Sequence, residues 1–251
     1  MSQFEGKHVL VTGGGSGIGA AIAKIFVDKQ ASVTIVGRNE EKLAAKAKAL
    51  GVGYQVCDIT NRSQMASAFA AAVTENGWIN ILVNNAGAAE ALPFGKMDDS
   101  HWDRMLSVNL TGVFNCTKLV IDDMLKNRSG CVVNVASTAA LSGYAYVAAY
   151  CAAKHGVLGL TRALALEYAT KGITINAVCP GFTDTDIVDQ TIENIMAATG
   201  RSRDDALAEL VKTNPQGRLI QPEEVADTVI WLCRQKSMTG QAIAVAGGEV
   251  M

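Results

Sequence analysis

Proline is scarce in this chain, with 4 residues among 251, and no two cysteines stand in C-x-x-C spacing. Few prolines beside 24 glycines argue against a linker-rich or disordered chain and suit tight strand-to-helix turns. Aromatic residues make up only 6% of the sequence and charged residues 18%, against 49% apolar residues, enough for a sizeable core. No segment reaches the roughly 18 uninterrupted apolar residues of a membrane span. The opening Met1 to Lys7 has no positively charged start followed by an apolar stretch, so a cytoplasmic chain is expected. A net charge of −2 gives no electrostatic reason to expect nucleic acid or an anionic membrane as partner. The three histidines, His8, His101 and His155, lack ligand spacing, and no metal site is assigned. Six scattered cysteines, mostly in apolar surroundings, read as buried free thiols of a reducing cytosol.

What is present is a repeat of short apolar runs and helical stretches. His8 to Thr12 (HVLVT) leads into Gly13-Gly14-Gly15-Ser16-Gly17-Ile18-Gly19 and a helix from Ala20 to Lys29. Strand, glycine turn and helix together make a phosphate-binding loop: glycines let the backbone approach a pyrophosphate, and the helix start offers N–H groups and a positive dipole end. Ser32 to Val36 and Glu40 to Leu50 form a second strand–helix unit, joined through Gly37-Arg38. An acidic residue here would take a ribose 2′-hydroxyl and repel a 2′-phosphate. Its absence, with a guanidinium in reach, favours NADP(H) over NAD(H).

Further strands are expected at Gly53 to Cys57, with Asp58-Ile59 at its end, and at Asn80 to Val83, running into Asn84-Asn85-Ala86-Gly87. Others follow at Cys131 to Ala136, Ile173 to Val178 and Gln241 to Val245. Arg62 to Asn76 is an amphipathic helix, and Pro222 to Arg234 has proline and two glutamates in its first turn. Strands that lack strict alternation and are separated by helices argue for an α/β fold with a parallel sheet covered on both faces. Ligands of such sheets lie beyond the strand carboxyl ends, where each marked segment falls. The chain reads as one domain over residues 1–251. Its stretch from Phe182 to Pro215, with helical runs near Thr185 to Ala198 and Asp204 to Lys212, reads as a substrate lid.

Two further features concern chemistry. Asn109 sits midway along a helical stretch from about Ser100 to Lys126, a poor position unless its amide finds a partner or perturbs the helix. Tyr150 and Lys154 stand four apart, so they share a helix face. A cation near the phenol would lower its pKa from about 10 and make it a usable acid or base.

The residues now in hand resemble the short-chain dehydrogenase/reductase family, over essentially the whole chain. The motifs are Thr12-Gly13 through Gly17-Ile18-Gly19, Asn84-Asn85-Ala86-Gly87, Asn109, Ser137 with Tyr150 and Lys154, and Pro180-Gly181. The resemblance implies a Rossmann-type, doubly wound, seven-stranded parallel sheet and a homotetramer. It implies that Ser137 binds the substrate carbonyl and Tyr150 protonates it. Lys154 would lower the tyrosine pKa and hold the nicotinamide ribose, and Asn109 would position a relay water. It points to cofactor contacts at Gly13, Gly15, Ser16, Gly17, Ile18, Gly19, Arg38, Asp58, Ile59, Asn85, Ala86, Gly87, Tyr150, Lys154, Pro180, Gly181 and Thr183, with Asp58 on the adenine.

The sequence departs from the family at Ser16, where NADP-preferring members often carry a basic residue, and at Ala246, where many have aspartate. The chain is similar to 3-oxoacyl carrier-protein reductases, hydroxybutyrate dehydrogenases and polyketide ketoreductases. The expected activity is reduction of a small carbonyl substrate with NADPH. An NAD-dependent dehydrogenase working oxidatively is the alternative. A dinucleotide-binding sensor without turnover is a third possibility, against which the intact Asn109, Ser137, Tyr150 and Lys154 set argues.

Overall fold

The computed structural model describes residues 3–250, so Met1, Ser2 and Met251 lie outside the described residues. Seven strands form one parallel sheet in the order β3-β2-β1-β4-β5-β6-β7. They are β1 (His8–Thr12), β2 (Ser32–Gly37), β3 (Gly53–Val56), β4 (Ile79–Asn84), β5 (Gly130–Val135), β6 (Ile173–Pro180) and β7 (Ala242–Val245). Every residue of β1 and β4 is buried, which is why these strands carry no apolar–polar alternation. His8 is the polar residue that opens β1, and its ring meets the Gly77 carbonyl at 2.7 Å and the Thr34 hydroxyl at 3.0 Å.

Helices cover both faces. On one, α1 (Gly17–Asp28), α2 (Glu40–Leu50) and α9 (Pro222–Arg234) enclose a core with Phe26, Ile35, Leu43 and Val229. On the other, α3 (Arg62–Asn76), α5 (Gly112–Lys126) and α6 (Ala148–Tyr168) enclose Met65, Phe69, Val120 and Ile175. Local chemistry sets the helix ends. Asn39 accepts from Lys42 N–H at 2.8 Å to start α2, and Gly51 at φ 68° ends it. In the first turn of α9, Glu224 accepts from the Gln221 N–H and from both terminal nitrogens of Arg218 at 2.7 Å, which holds its carboxyl at about 2.

The long helix expected around Asn109 is not continuous. It divides into α4 (Asp99–Leu106), a π-helical turn over Ser107–Thr111 and α5. The π turn adds a residue to the helix and turns Asn109 inward, where it is fully buried. The helix of Tyr150 begins at Ala148, and β6 runs on to Pro180. Residues 182–215 carry α7 (Asp186–Thr199) and α8 (Arg203–Val211), which share a small apolar cluster of Val188, Ile192, Ala206 and Leu210. Among the described residues no helix is long and apolar enough to cross a membrane.

The sheet order reverses at β1, which pairs with β2 on one side and β4 on the other. The crevice of a doubly wound sheet lies beyond the strand ends at that reversal. All the marked segments sit along this edge.

Candidate active site

The Gly13–Gly19 segment forms the floor beyond β1. Gly13 has φ 68°, and a Cβ there would stand 2.9 Å from Asn85 Nδ2 and 3.0 Å from Ala86 Cα. A Cβ on Gly19 would collide with the Gly13 carbonyl and the Asn85 amide. The loop is therefore packed as bare backbone against the β4 end, as close approach to a phosphate requires. Gly17 and Ile18 open α1, whose N-cap Ser16 forms no side-chain capping bond.

Asn85 braces this floor, its Nδ2 donating to the Thr12 carbonyl at 3.0 Å and the Gly13 carbonyl at 3.3 Å. The Asn85 and Ala86 N–H groups both donate to Thr12 Oγ1 at 3.0 Å. Behind it, Asn84 Nδ2 donates to Asn134 Oδ1 at 2.9 Å and Thr117 Oγ1 at 3.1 Å, tying β4 to β5 and α5.

Beyond the ends of β1 and β2 a cleft of about 410 Å³ is lined by Gly13, Gly15, Ser16, Gly37, Arg38, Asn39, Lys42 and Leu43. Arg38 is 71% exposed and lies 4.0 Å from the Asp58 carboxylate, so its guanidinium is open to an incoming anion. Asp58 Oδ1 accepts from the Thr60 N–H and hydroxyl at 2.9 and 2.8 Å, which fixes it at the β3 end. Ile59 is buried, and its side chain packs where a Cβ of Gly112 would be, so only its backbone is left for a cofactor. A bare glycine floor, an open guanidinium and a cleft of this size fit a dinucleotide. Lys42 went unnoticed in the sequence: it lines the same cleft and donates to Asp186 at 2.9 Å, 144 residues away. Its only local signal was a position three residues after the N-cap Asn39, on the side that faces the Gly15–Ser16 turn.

The residues expected to carry the chemistry gather beyond β5. Ser137 follows that strand closely, and its hydroxyl accepts from the Ala139 N–H at 3.1 Å and hydrogen-bonds the Tyr150 phenol. One helical turn on, Lys154 is 4% exposed; its Nζ donates to the Val135 carbonyl at 2.9 Å and lies 5.6 Å from the Tyr150 ring centroid. Asn109 Oδ1 accepts from the Ala88 N–H at 3.2 Å, while Nδ2 donates to the Ala88 carbonyl at 2.8 Å and the Met105 carbonyl at 3.1 Å. A Cβ on Gly87 would be 2.9 Å from Asn109 Oδ1 and 3.7 Å from Lys154 Nζ, so this glycine keeps open the space between them.

The electrostatics differ from the sequence expectation. Tyr150 is held above its ordinary value, because burial disfavours the phenolate more than the Ser137 hydrogen bond favours it. Lys154 is itself pushed down to about 8 by burial. In the protein alone the lysine does not make the phenol acidic: each group is penalised for its charge, and the cation rests on a backbone carbonyl.

Pro180 ends β6 and Gly181 follows it, the Gly181 N–H donating to the Val245 carbonyl at 3.1 Å. Thr183 is buried, and its hydroxyl donates to the Gly181 carbonyl at 3.0 Å, so it shapes this turn. Ala246, where many family members carry aspartate, packs against Gly181. Among the described residues no group of three or more His, Cys, Asp or Glu is arranged to hold a metal ion. The cysteines are all free thiols, and Cys131 and Cys233 have their sulfurs 3.5 Å apart.

The likeness to known proteins follows this geometry. A family profile described as short chain dehydrogenase matches residues 7–195. The chain is 39% identical to the granaticin polyketide synthase putative ketoacyl reductase 1 of Streptomyces violaceoruber, over 95% of this chain and 91% of that protein. It is 36% identical to the 3-oxoacyl-[acyl-carrier-protein] reductase of Thermotoga maritima, over 99% of this chain and all of that one. A crystal structure of a tryptophan variant of actinorhodin polyketide ketoreductase with NADPH superposes with a TM-score of 0.94 at 37% identity, covering 99% of both chains. With the sheet order, the glycine floor and the Ser137–Tyr150–Lys154 cluster in agreement, the chain belongs to the short-chain dehydrogenase family of oxidoreductases.

Proposed function

We propose that the protein is an NADPH-dependent carbonyl reductase that converts a 3-oxoacyl or other small ketone to a secondary alcohol. The observation that carries this reading is the convergence of Ser137, Tyr150, Lys154 and Asn109 at one strand edge, next to the glycine floor and Gly181. Bound in the crevice, NADPH supplies a hydride. The Ser137 hydroxyl and Tyr150 phenol both donate to the substrate oxygen, so negative charge developing there meets two donors already in place. Tyr150 then gives up its proton. A neutral phenol is the form burial favours, so the acid is protonated at neutral pH. Lys154 stabilises the resulting phenolate from 5.6 Å away from the ring centroid, and Asn109 Oδ1 holds the far side of the Gly87 gap for a relay water.

NADPH is favoured over NADH because Arg38 and Lys42 both face the adenosine cleft and Gly37 puts no carboxylate into it. A guanidinium–phosphate contact contributes about 1.5–3 kcal/mol, and the 71% exposure of Arg38 puts the value towards the lower end. Residues 182–215 act as a lid, hinged where residues 182–184 pair with Ile220. The assembly is a homotetramer, to which the exposed Phe114 and Leu119 on α5, Leu166 on α6 and Trp231 on α9 would bring apolar contacts. The test is a panel of ketones assayed with NADPH and NADH side by side. Reduction with NADPH in preference to NADH is expected; no turnover of any ketone with either cofactor refutes the activity.

A further inference from the structure

The tail after β7 places a carboxylate, unused by the reduction, against Tyr144, Thr213 and Gly181. Glu249, in the tail after β7, accepts through Oε1 from the Tyr144 hydroxyl at 2.7 Å and from the Thr213 hydroxyl at 2.9 Å. Tyr144 lies on the segment between Ser137 and Tyr150, and its hydroxyl also bonds Thr138; burial and the neighbouring carboxylate push it to about 12. Thr213 closes the lid segment. The second oxygen, Oε2, lies 2.8 Å from where a Cβ of Gly181 would stand and accepts from no donor among the described residues.

Two hydrogen bonds from neutral hydroxyls do not require a charge, since an amide oxygen can accept them too, though more weakly. Among the described residues no ion pair involves Glu249. What glutamate adds over glutamine is an uncompensated negative charge where the catalytic segment, the lid end and the β6 end meet. A carboxylate substrate held near Gly181 would meet like charge from the half-buried Glu249, where repulsion is stronger than in water. An uncharged ketone meets only a hydrogen-bond acceptor. Discrimination by repulsion needs no contact optimised for the favoured substrate.

We propose that Glu249 restricts the site to uncharged carbonyl compounds, esters, thioesters and ring ketones among them, and excludes free oxo acids. This rests on the carbonyl-reductase reading above and separates substrates that the catalytic residues do not distinguish.

Methyl acetoacetate and acetoacetate present the same ketone without and with the charge. Their kcat/KM values are measured with NADPH on the wild type and on Glu249→Gln, and the ester-to-acid ratio is compared between the two proteins. That comparison cancels the intrinsic difference in reactivity. The ratio should fall about tenfold in the variant through a gain on the acid, with the ester rate within about twofold and the thermal midpoint unchanged. An unchanged ratio in a folded variant overturns the proposal. Should the variant not fold, the wild type assayed from about 50 to about 500 mM NaCl takes its place: the acid should gain on the ester as salt screens the charge, and a flat ratio overturns the proposal. If neither compound nor any other ketone is reduced, the carbonyl-reductase reading fails and this proposal with it. If both are reduced with an insensitive ratio, only the selector fails.

Discussion

Replacing Lys154 with methionine should make the cofactor-free protein more stable at pH 7 while removing its activity. Lys154 is 4% exposed and its amine is lowered from 10.5 to about 8 by burial. That displacement of about 2.5 pH units, at about 1.4 kcal/mol per unit, is a penalty of about 3.5 kcal/mol on the folded state whenever the amine is charged. Methionine fills much of the same volume without a charge. It also leaves the Val135 carbonyl without its 2.9 Å donor, which costs about 1–2 kcal/mol. The net gain expected is about 1.5–2.5 kcal/mol. The sign with pH follows from the depressed value: below about 8 both folded and unfolded lysines are protonated and the penalty is complete. Between about 8 and 10.5 only the unfolded chain holds the proton, so the wild type gains stability as pH rises. By about pH 9.5 roughly 2 kcal/mol of the penalty is gone and the advantage of the variant should vanish or reverse. Urea unfolding of both proteins at pH 7 and about pH 9.5 measures this directly. A methionine variant less stable at pH 7, or a difference that does not change with pH, refutes the account of Lys154 as a destabilised, function-bound cation.

Tyr150→Phe removes the proposed proton donor and its bond to Ser137 without touching the glycine floor. It should lower kcat about a hundredfold or more and leave cofactor affinity nearly unchanged, as steady-state kinetics and cofactor titration would show. Gly37→Asp with Arg38→Ala should reverse the cofactor preference in kcat/KM. A Cβ at Gly37 meets only Leu43 side-chain atoms at 3.5–3.7 Å, so the new carboxylate fits without strain. Lys42→Gln should cost NADPH about twofold to fivefold in KM and NADH nothing, the usual worth of one exposed charge contact. Hydrogen exchange should show residues 182–215 less protected than the sheet without cofactor and more protected with NADPH; equal protection in both states argues against a lid.

Much of the fold and the candidate site was written locally. The order of strands and helices followed from apolar runs separated by helical periodicity, and the parallel sheet from the lack of alternation in segments such as HVLVT. The glycine loop, Ser137 at a strand end and the four-residue step from Tyr150 to Lys154 are legible because backbone freedom and helix pitch act over a few residues. Asn109 marks the limit. Its awkwardness in a helix was visible, but the π turn that resolves it depends on Ala88, 21 residues away, accepting from and donating to its amide.

Only the tertiary structure decided the rest, because desolvation and long-range charge are properties of the assembled space. The adjacency of Tyr150 and Lys154 suggested a lowered phenol; enclosure of both groups reversed that direction for the protein alone. Lys42 reaches Asp186 across 144 residues, and Glu249 reaches Tyr144 across 105, so neither pairing leaves a trace in local spacing. Local sequence determined which groups are available and where along the strand edge they stand. How strongly each is charged, and which others it faces, was settled by the folding of distant segments onto one crevice.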